Sequence, residues 1–521
     1  MNESKNRKLG AILSYVSIIA STLISLVYTP FMIRSLGQSE YGLYSLISSV
    51  IGYLTLLDLG FGNAIVVYTA KYRAQKKYEE EKKLHGMFFI IFCIIGLIAG
   101  IGGLILYFNV NNLFGNTMNS LELHKAKIMM LILTFNLVIS FIFSIYGCIL
   151  NAYEKFVYQK VISILNTILR PIIMIPLLFL GYKSITMVVV ITVLNILVLL
   201  SNYIYCRNKL NIRIKYRGFD KNLFKTILGY SIWLFLGSIV DKVNWSVDQF
   251  VLGAVSGTIA VSIYSVASSL NQLFLNLSTA ISNVFLPKMA KLVAQKASAD
   301  QLTDEMIKVG RIQYYILFLA CSGLVLFGKE FIVLWVGSEF KDAYYVSLLL
   351  IIPLCFPLIQ NLGLSIMQAM NKYRFKSIST AIMAFFNIII SIFLAKKYGA
   401  IGSAMGTAFA LVICNVIIIN IYYYKEIKLN IIKFWKSILS LTIFNVIPII
   451  LILIFKYFIR LYGVISILVY GTIYTLMYFI VSYFINMNDY EKSFIKELIN
   501  KLKIRKVVVN DKRNVKKVTR I

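Results

Sequence analysis

Runs of about twenty apolar residues recur along almost the whole of this chain, and no other property restricts its fold so severely. A helix of that length crosses roughly 30 Å of hydrocarbon. Inside hydrocarbon the protein must satisfy its own backbone N–H and C=O groups, so only helices and closed barrels can span. The alternating pattern of barrel strands is missing, which leaves helices. Composition agrees. Of 521 residues, 59% are apolar and 14% charged, and the mean hydropathy is +0.78; an average soluble domain has about 25% charged residues. The expected fold class is therefore an all-α polytopic membrane protein, with no hydrophilic stretch long enough for a separate soluble domain.

Hydropathy predicts about fourteen transmembrane helices. Their expected limits are 9–33, 40–67, 86–108, 128–151, 159–181, 185–205, 226–253, 258–287, 311–336, 344–369, 377–396, 401–423, 437–456 and 463–486. The first twelve contain a repeat. The motif Tyr44-Ser45-Leu46-Ile47-Ser48-Ser49 returns as Tyr264-Ser265-Val266-Ala267-Ser268-Ser269, an offset of 220 residues. Asn63 and Ala70-Lys71 return as Asn283 and Ala290-Lys291, and Lys209-Leu210-Asn211-Ile212 recurs as Lys428-Leu429-Asn430-Ile431. A near-constant offset argues for two six-helix repeats, a common transporter plan with the substrate path between them. The expected organisation is an N-terminal six-helix lobe (1–225), a C-terminal six-helix lobe (226–425), two additional transmembrane helices (426–486) and a basic cytoplasmic tail (487–521).

Charge orients the chain. With the N-terminus in the cytoplasm, the inside segments hold about 41 Lys and Arg and the outside loops about 9. Positive loops stay on the cytoplasmic side, so both termini are expected inside. The densest such loop, from Cys206 to Lys225, carries seven basic residues. The net charge of +31 reads either as this topology signal with attraction to membrane lipids, or as recruitment of an anionic lipid-linked substrate. It is spread over loops between spans, which argues against nucleic-acid binding. Six scattered cysteines form no CxxC pair, and the two histidines, His85 and His124, lie near span ends. No metal site, catalytic relay, cofactor or cleavable signal is expected.

The informative residues are polar groups placed where they are expensive. A charge at mid-membrane costs at least about 2.5–3.5 kcal/mol on insertion scales. In the seventh span Asp241, Asn244 and Asp248 recur at helical spacing on one face, with Lys242 beside Asp241; that face should line a cavity. Asp58 sits within the second span before Leu59-Gly60-Phe61-Gly62, where two glycines weaken the helix by about 1 kcal/mol each. The segment is expected to open locally. Arg170, before Pro171 in the fifth span, can hold a phosphate or carboxylate through two parallel hydrogen bonds. Asn271 and Gln272 lie in a polar stripe of the eighth span and suit either sugar hydroxyls or helix–helix hydrogen bonding. Two readings stay open. Arg170 either pairs with Asp58, Asp241 or Asp248 as scaffold, or Arg170 and Lys242 contact an anionic substrate while the aspartates carry protons or position the cations. All seven prolines lie in or at the ends of spans, where kinks suit a protein that rocks between two states.

There is no GxxxxGK[ST] loop for ATP, no filter motif of a channel and no outer loop large enough for a glycosyltransferase or polymerase site. The chain is thus expected not to be an enzyme. Three stretches together resemble the Wzx-type flippases of O-antigen, capsule and exopolysaccharide, within the multidrug/oligosaccharidyl-lipid/polysaccharide exporter superfamily. They are Leu36-Gly37-Gln38-Ser39-Glu40-Tyr41-Gly42-Leu43-Tyr44 with Leu56-Leu57-Asp58-Leu59-Gly60-Phe61-Gly62-Asn63-Ala64; Asp248-Gln249-Phe250-Val251-Leu252-Gly253 with Tyr264-Ser265-Val266-Ala267; and Val284-Phe285-Leu286-Pro287-Lys288-Met289-Ala290. The resemblance covers roughly residues 1–425. It implies a two-lobed bundle like that of MATE exporters and MurJ, alternating access, and translocation of a polyprenyl-diphosphate-linked oligosaccharide across the plasma membrane. Cationic cavity residues, here Arg170 and Lys242, are then expected on the diphosphate, and a polysaccharide polymerase and glycosyltransferases are the implied partners. A lipid II or teichoic-acid precursor flippase, or a cation-coupled multidrug antiporter of the same superfamily, are the alternatives.

Overall fold

The computed structural model describes residues 3–215, 221–370, 372–459, 461, 463–493 and 496. Most of the expected basic tail lies outside them, as do the side chains of Asp241 and Asn244. Among the described residues the chain is helical, with no strand. The first seven helices are α1 (Glu3–Leu36), α2 (Gln38–Leu54), α3 (Phe61–Ala74), α4 (Tyr78–Phe114), α5 (Ser120–Ala152), α6 (Phe156–Phe179) and α7 (Ser184–Asn208). They are followed by α8 (Lys221–Val255), α9 (Gly257–Ala294), α10 (Ala299–Val336), α11 (Ala343–Ile359), α12 (Asn361–Ala369), α13 (Tyr373–Leu411) and α14 (Ile419–Lys425). The last are α15 (Ile431–Asn445), α16 (Ile447–Phe458) and α17 (Gly463–Val481).

Eleven of the described helical segments are long and apolar enough to cross a membrane, or twelve if α11 and α12, bent by 48°, count as one span. The expected fourteen exceeds this count at two places. The run from Tyr373 to Lys425 is continuous helix of 53 residues, yet Gly399 interrupts it with φ 55° and ψ −134°, between the expected spans 377–396 and 401–423. The other is α8, whose 35 residues cover the expected seventh span.

The expected local opening is present at Asp58. Helix α2 stops at Leu54, a tight 3₁₀ turn runs from Thr55 to Asp58, and Leu59 and Gly60 take left-handed φ of 52° and 76° before α3 begins. A leucine in that region is disfavoured by roughly 1–2 kcal/mol, so the break is held by what surrounds it. The Asp58 carboxylate faces the backbone N–H groups of Gly60 and Gly62, which the opened helix leaves without intrahelical partners. A carboxylate at a helix N-terminus also meets the positive end of the helix dipole.

The chain forms two compact units. The first contains Met1–Leu273, Trp335–Leu350 and Arg374–Cys414; the second contains Phe274–Leu334, Ile351–Tyr373 and Asn415–Ile521. The core of the first unit joins α2 to α5 with parts of α8, α9 and α13, around buried Leu46, Ile47, Phe88, Phe92, Phe114 and Leu252. At Gly42 the backbones of α2 and α9 touch, since a Cβ there would lie 1.9 Å from the Thr258 carbonyl oxygen. The second unit has its own core of Phe327, Ile452, Tyr470, Tyr474 and Tyr478. In it Arg311 of α10 grips buried Glu491, with Nε–Oε1 at 2.5 Å and Nη2–Oε2 at 3.0 Å, and Nη2 also donates to the Asn486 carbonyl at 2.8 Å.

Candidate functional site

The first unit has an open cavity of about 480 Å³ among its N-terminal helices, where polar side chains are set among apolar Ile51, Leu133, Leu137, Ile191 and Leu194. Helix α2 contributes Tyr44, Ser48 and Gly52; α5 contributes Asn136 and Ser140; α6 contributes Asn166 and Arg170; α7 contributes Asn195. Each polar group interrupts an otherwise apolar helix, and such groups face inward because lipid leaves them unpaired. Asn195 Nδ2 donates to Asn136 Oδ1 and to Ser140 Oγ, both at 2.7 Å, fixing one wall. Arg170 Nη2 donates to the Tyr44 hydroxyl at 2.8 Å, while its Nε is buried without a partner among the described residues. No ion pair involves Arg170 among the described residues. A guanidinium has five donors, so most of its capacity is uncommitted. Lys242 of α8 reaches the other side of Gly52, where an added Cβ would lie 2.9 Å from Nζ. Its Nζ is 5.9 Å from the centre of the Tyr53 ring.

Asp248 belongs to a different cluster. It is 1% exposed, and four hydroxyls, one from α9 and three from α13, donate to its carboxylate. Oδ1 accepts from Ser403 at 2.7 Å and Ser391 at 3.3 Å; Oδ2 accepts from Tyr264 at 2.7 Å and Thr407 at 2.9 Å. Asn387 closes the cluster, its Oδ1 accepting from Ser391 at 2.9 Å and its Nδ2 donating to Thr407 at 3.3 Å. A Cβ on Gly406 would come within 2.5 Å of Ser391 Oγ, so glycine makes room for the cluster. Its donors to any bound ion are all oxygens around one negative charge, which is chemistry for a proton or a small hard cation. Among the described residues no group of three or more His, Cys, Asp or Glu is placed to hold a metal.

The remaining expected residues are spread out. Asp58 faces the break between α2 and α3, and Asn271 is 5% exposed with its Oδ1 unpartnered among the described residues. Gln272 is exposed on α9. Arg170 does not pair with Asp248 or Asp58, so those two scaffold pairings are not formed in this structure; the pairing with Asp241 lies outside the described side chains. The cavity's asparagines and serines went unnoticed in the sequence, although Asn136, Asn166 and Asn195 each stand alone within apolar spans and carry the same signal as Arg170.

Residues 9–293, more than half of the chain, match the family described as "Polysaccharide biosynthesis protein". The chain belongs to that family. Among curated proteins it is similar to a Shigella flexneri protein described as an O-antigen transporter, 20% identical over 74% of this chain and 90% of the relative. It is also similar to the capsular polysaccharide biosynthesis protein CapF of Staphylococcus aureus, 26% identical over 43% of this chain and 55% of the relative. Among solved structures it resembles the lipid II flippase MurJ in an inward closed conformation, with a TM-score of 0.70 and 20% identity over 94% of this chain and 99% of the other. An inward-facing MATE multidrug transporter of the MOP superfamily follows at 0.60 and 15% identity, covering 76% and 93%. At such identities the structural likenesses concern the fold, which is the expected MATE/MurJ-like bundle. With the apolar spans they make this member of the family a multi-pass membrane protein.

Proposed function

We propose that the protein is a flippase that moves polyprenyl-diphosphate-linked oligosaccharide units across the plasma membrane for surface polysaccharide synthesis, by alternating access. The observation that carries this reading is Arg170: a guanidinium with a buried, unpartnered Nε among the described residues, at the wall of a cavity whose other polar liners, set among Ile51, Leu133, Leu137, Ile191 and Leu194, are uncharged amides and hydroxyls. A diphosphate and several sugars cannot enter hydrocarbon, because buried charges and unpaired hydroxyls cost several kcal/mol or more each. The cavity offers the complementary set, one strong anion donor and a ring of sugar-sized hydrogen-bonding groups. The family and the relatives named for O-antigen transport and capsule synthesis support the same substrate class.

The antiporter alternative is less well served. No carboxylate lines the cavity among the described residues, so a cationic drug would meet Arg170 and no counter-charge. In our reading both termini lie in the cytoplasm and the Asp248 cluster couples transport by taking up a proton or a small cation. Polymerase and glycosyltransferase enzymes would then act on the delivered unit and supply it. The test is mass spectrometry of lipid extracts from cells lacking the protein. Accumulation of one polyprenyl-diphosphate oligosaccharide is expected, and its sugars separate a polysaccharide precursor from lipid II or a teichoic-acid precursor. An unchanged lipid-linked pool with new sensitivity to cationic drugs would overturn the reading in favour of the antiporter.

A further inference from the structure

A second polar site lies in the first unit at the far end of α7, outside the cavity just described. Its pocket, about 700 Å³, is lined by Tyr146, Tyr203, Arg207, Asn208, Asn211 and Arg213. The chain after α7 is ordered where it forms this wall. Ile212 N–H bonds the Cys206 carbonyl at 3.1 Å, Lys215 N–H bonds the Lys82 carbonyl at 3.3 Å, and Asn211 takes a left-handed φ of 51°, a region asparagine tolerates better than most residues. Among the described residues neither Arg207 nor Arg213 makes an ion pair; Arg207 Nη1 donates to the Tyr203 hydroxyl at 2.6 Å. Arg213 also faces a neighbouring pocket of about 350 Å³ that holds Arg73. There Glu81 accepts from Tyr153 at 2.7 Å, and Lys82 is 2.8 Å from Glu79. The combined site is strongly positive.

Asn208 joins this pocket to an apolar groove of about 460 Å³ on the adjoining face of α7, lined by Leu197, Leu200, Ile204, Tyr158 and Tyr205. A charged pocket that continues into an apolar groove matches a lipid with an anionic head. The guanidiniums of Arg207 and Arg213, without ion pairs among the described residues, match a diphosphate, each with donors left to grip one phosphate through paired hydrogen bonds. Tyr203, packed near-perpendicular on the buried Tyr146 ring 5.0 Å away, is half-buried and offers its ring to a sugar, and exposed Asn208 and Asn211 offer amides for sugar hydroxyls. A volume of this size suits a ligand larger than phosphate alone. A glycerophospholipid head, with one phosphate and no sugar, leaves half of these groups unused.

We propose that this site is a holding site for the polyprenyl-diphosphate-linked saccharide before it enters the cavity at Arg170, with the diphosphate between Arg207 and Arg213 and the prenyl chain along Leu197 to Ile204. The proposal rests on the flippase reading above. Its test is native mass spectrometry of the full-length protein carrying Arg170→Met, so that the inner cavity does not mask the second site, titrated with polyprenyl diphosphate and with phosphatidylglycerol. Adding Arg207→Gln and Arg213→Gln is expected to weaken retention of polyprenyl diphosphate by at least about tenfold and to leave phosphatidylglycerol binding unchanged. Arg207→Lys with Arg213→Lys keeps the charge but not the fork, and should fall between. Equal retention with and without the Gln pair, or displacement of the diphosphate by phosphatidylglycerol at equal concentration, would overturn the site. An unchanged lipid pool in cells lacking the protein, with the binding differences present, removes the transport role and leaves a prenyl-diphosphate site; accumulation in those cells with no binding difference does the reverse.

Discussion

Replacing Arg170 by methionine separates a substrate contact from a scaffold contact, because the structure sets different magnitudes for the two. Folding loses the hydrogen bond from Nη2 to Tyr44 at 2.8 Å, a bond to a charged group contributing about 1.5–3 kcal/mol. It also sheds a buried Nε that has no partner among the described residues, and an unsatisfied buried donor costs about 1–3 kcal/mol. The two effects nearly cancel, so stability should change by no more than about 1–2 kcal/mol. Transport has no such offset. If the guanidinium holds a diphosphate through two charge-assisted bonds, about 3–6 kcal/mol is lost, which is at least about two orders of magnitude at 1.4 kcal/mol per tenfold. The assay is reconstitution into proteoliposomes with the lipid-linked oligosaccharide recovered from cells lacking the protein. Abundance and thermal stability are read on the same preparations. Arg170→Lys should retain part of the rate, since it keeps the charge and loses the planar fork. Transport near the wild-type rate in Arg170→Met refutes the substrate contact, and collapse of the folded protein shows that the scaffold role is the larger one.

Other substitutions probe other parts. Asp248→Asn turns one carboxylate oxygen into a donor facing two hydroxyls, which should cost about 1–3 kcal/mol and abolish any dependence of transport on an imposed proton or sodium gradient, measured in the same proteoliposomes. Gly406→Ala pushes a Cβ against Ser391 Oγ and should disturb that dependence while leaving protein abundance near normal. Gly42→Val forces α2 away from the Thr258 carbonyl. We expect a loss of about 1–3 kcal/mol, visible as a lower melting temperature, and a shift in cysteine accessibility along α9. Glu491→Ala leaves Arg311, only 12% exposed, without its carboxylate; loss of one partner of a buried pair costs about 3–5 kcal/mol, readable as protease sensitivity after α17.

The spans and the break at Asp58 were legible because each is a local property. Hydropathy within twenty residues marks a span, and Leu59-Gly60 marks the only cheap way to open a helix there. Arg170 was legible because a lone guanidinium in an apolar run has few explanations. What could not be read is which small polar residues meet. Ser391, Ser403 and Thr407 surround Asp248 from 143 to 159 positions away, and serine or threonine in a membrane helix usually bonds its own backbone or packs against a neighbour. Asn136 and Asn195 likewise become a wall only when α5 and α7 are brought together. The tilt between α11 and α12 was hidden for a related reason. Pro353 and Pro357 announce a bend, but the interruption falls later, at Gln360, whose side-chain nitrogen bonds the Asn415 carbonyl at 3.0 Å.

The grip of Arg311 on Glu491 spans 180 residues of sequence, and this has a consequence for how the protein is made. A chain synthesised from its N-terminus delivers Arg311 to the membrane long before Glu491 exists. Until the last helix emerges, α10 carries a cation without its counter-charge. Premature termination anywhere between them therefore yields a protein in which this guanidinium lacks its carboxylate and keeps at most its bonds to Tyr315 and the Asn486 carbonyl.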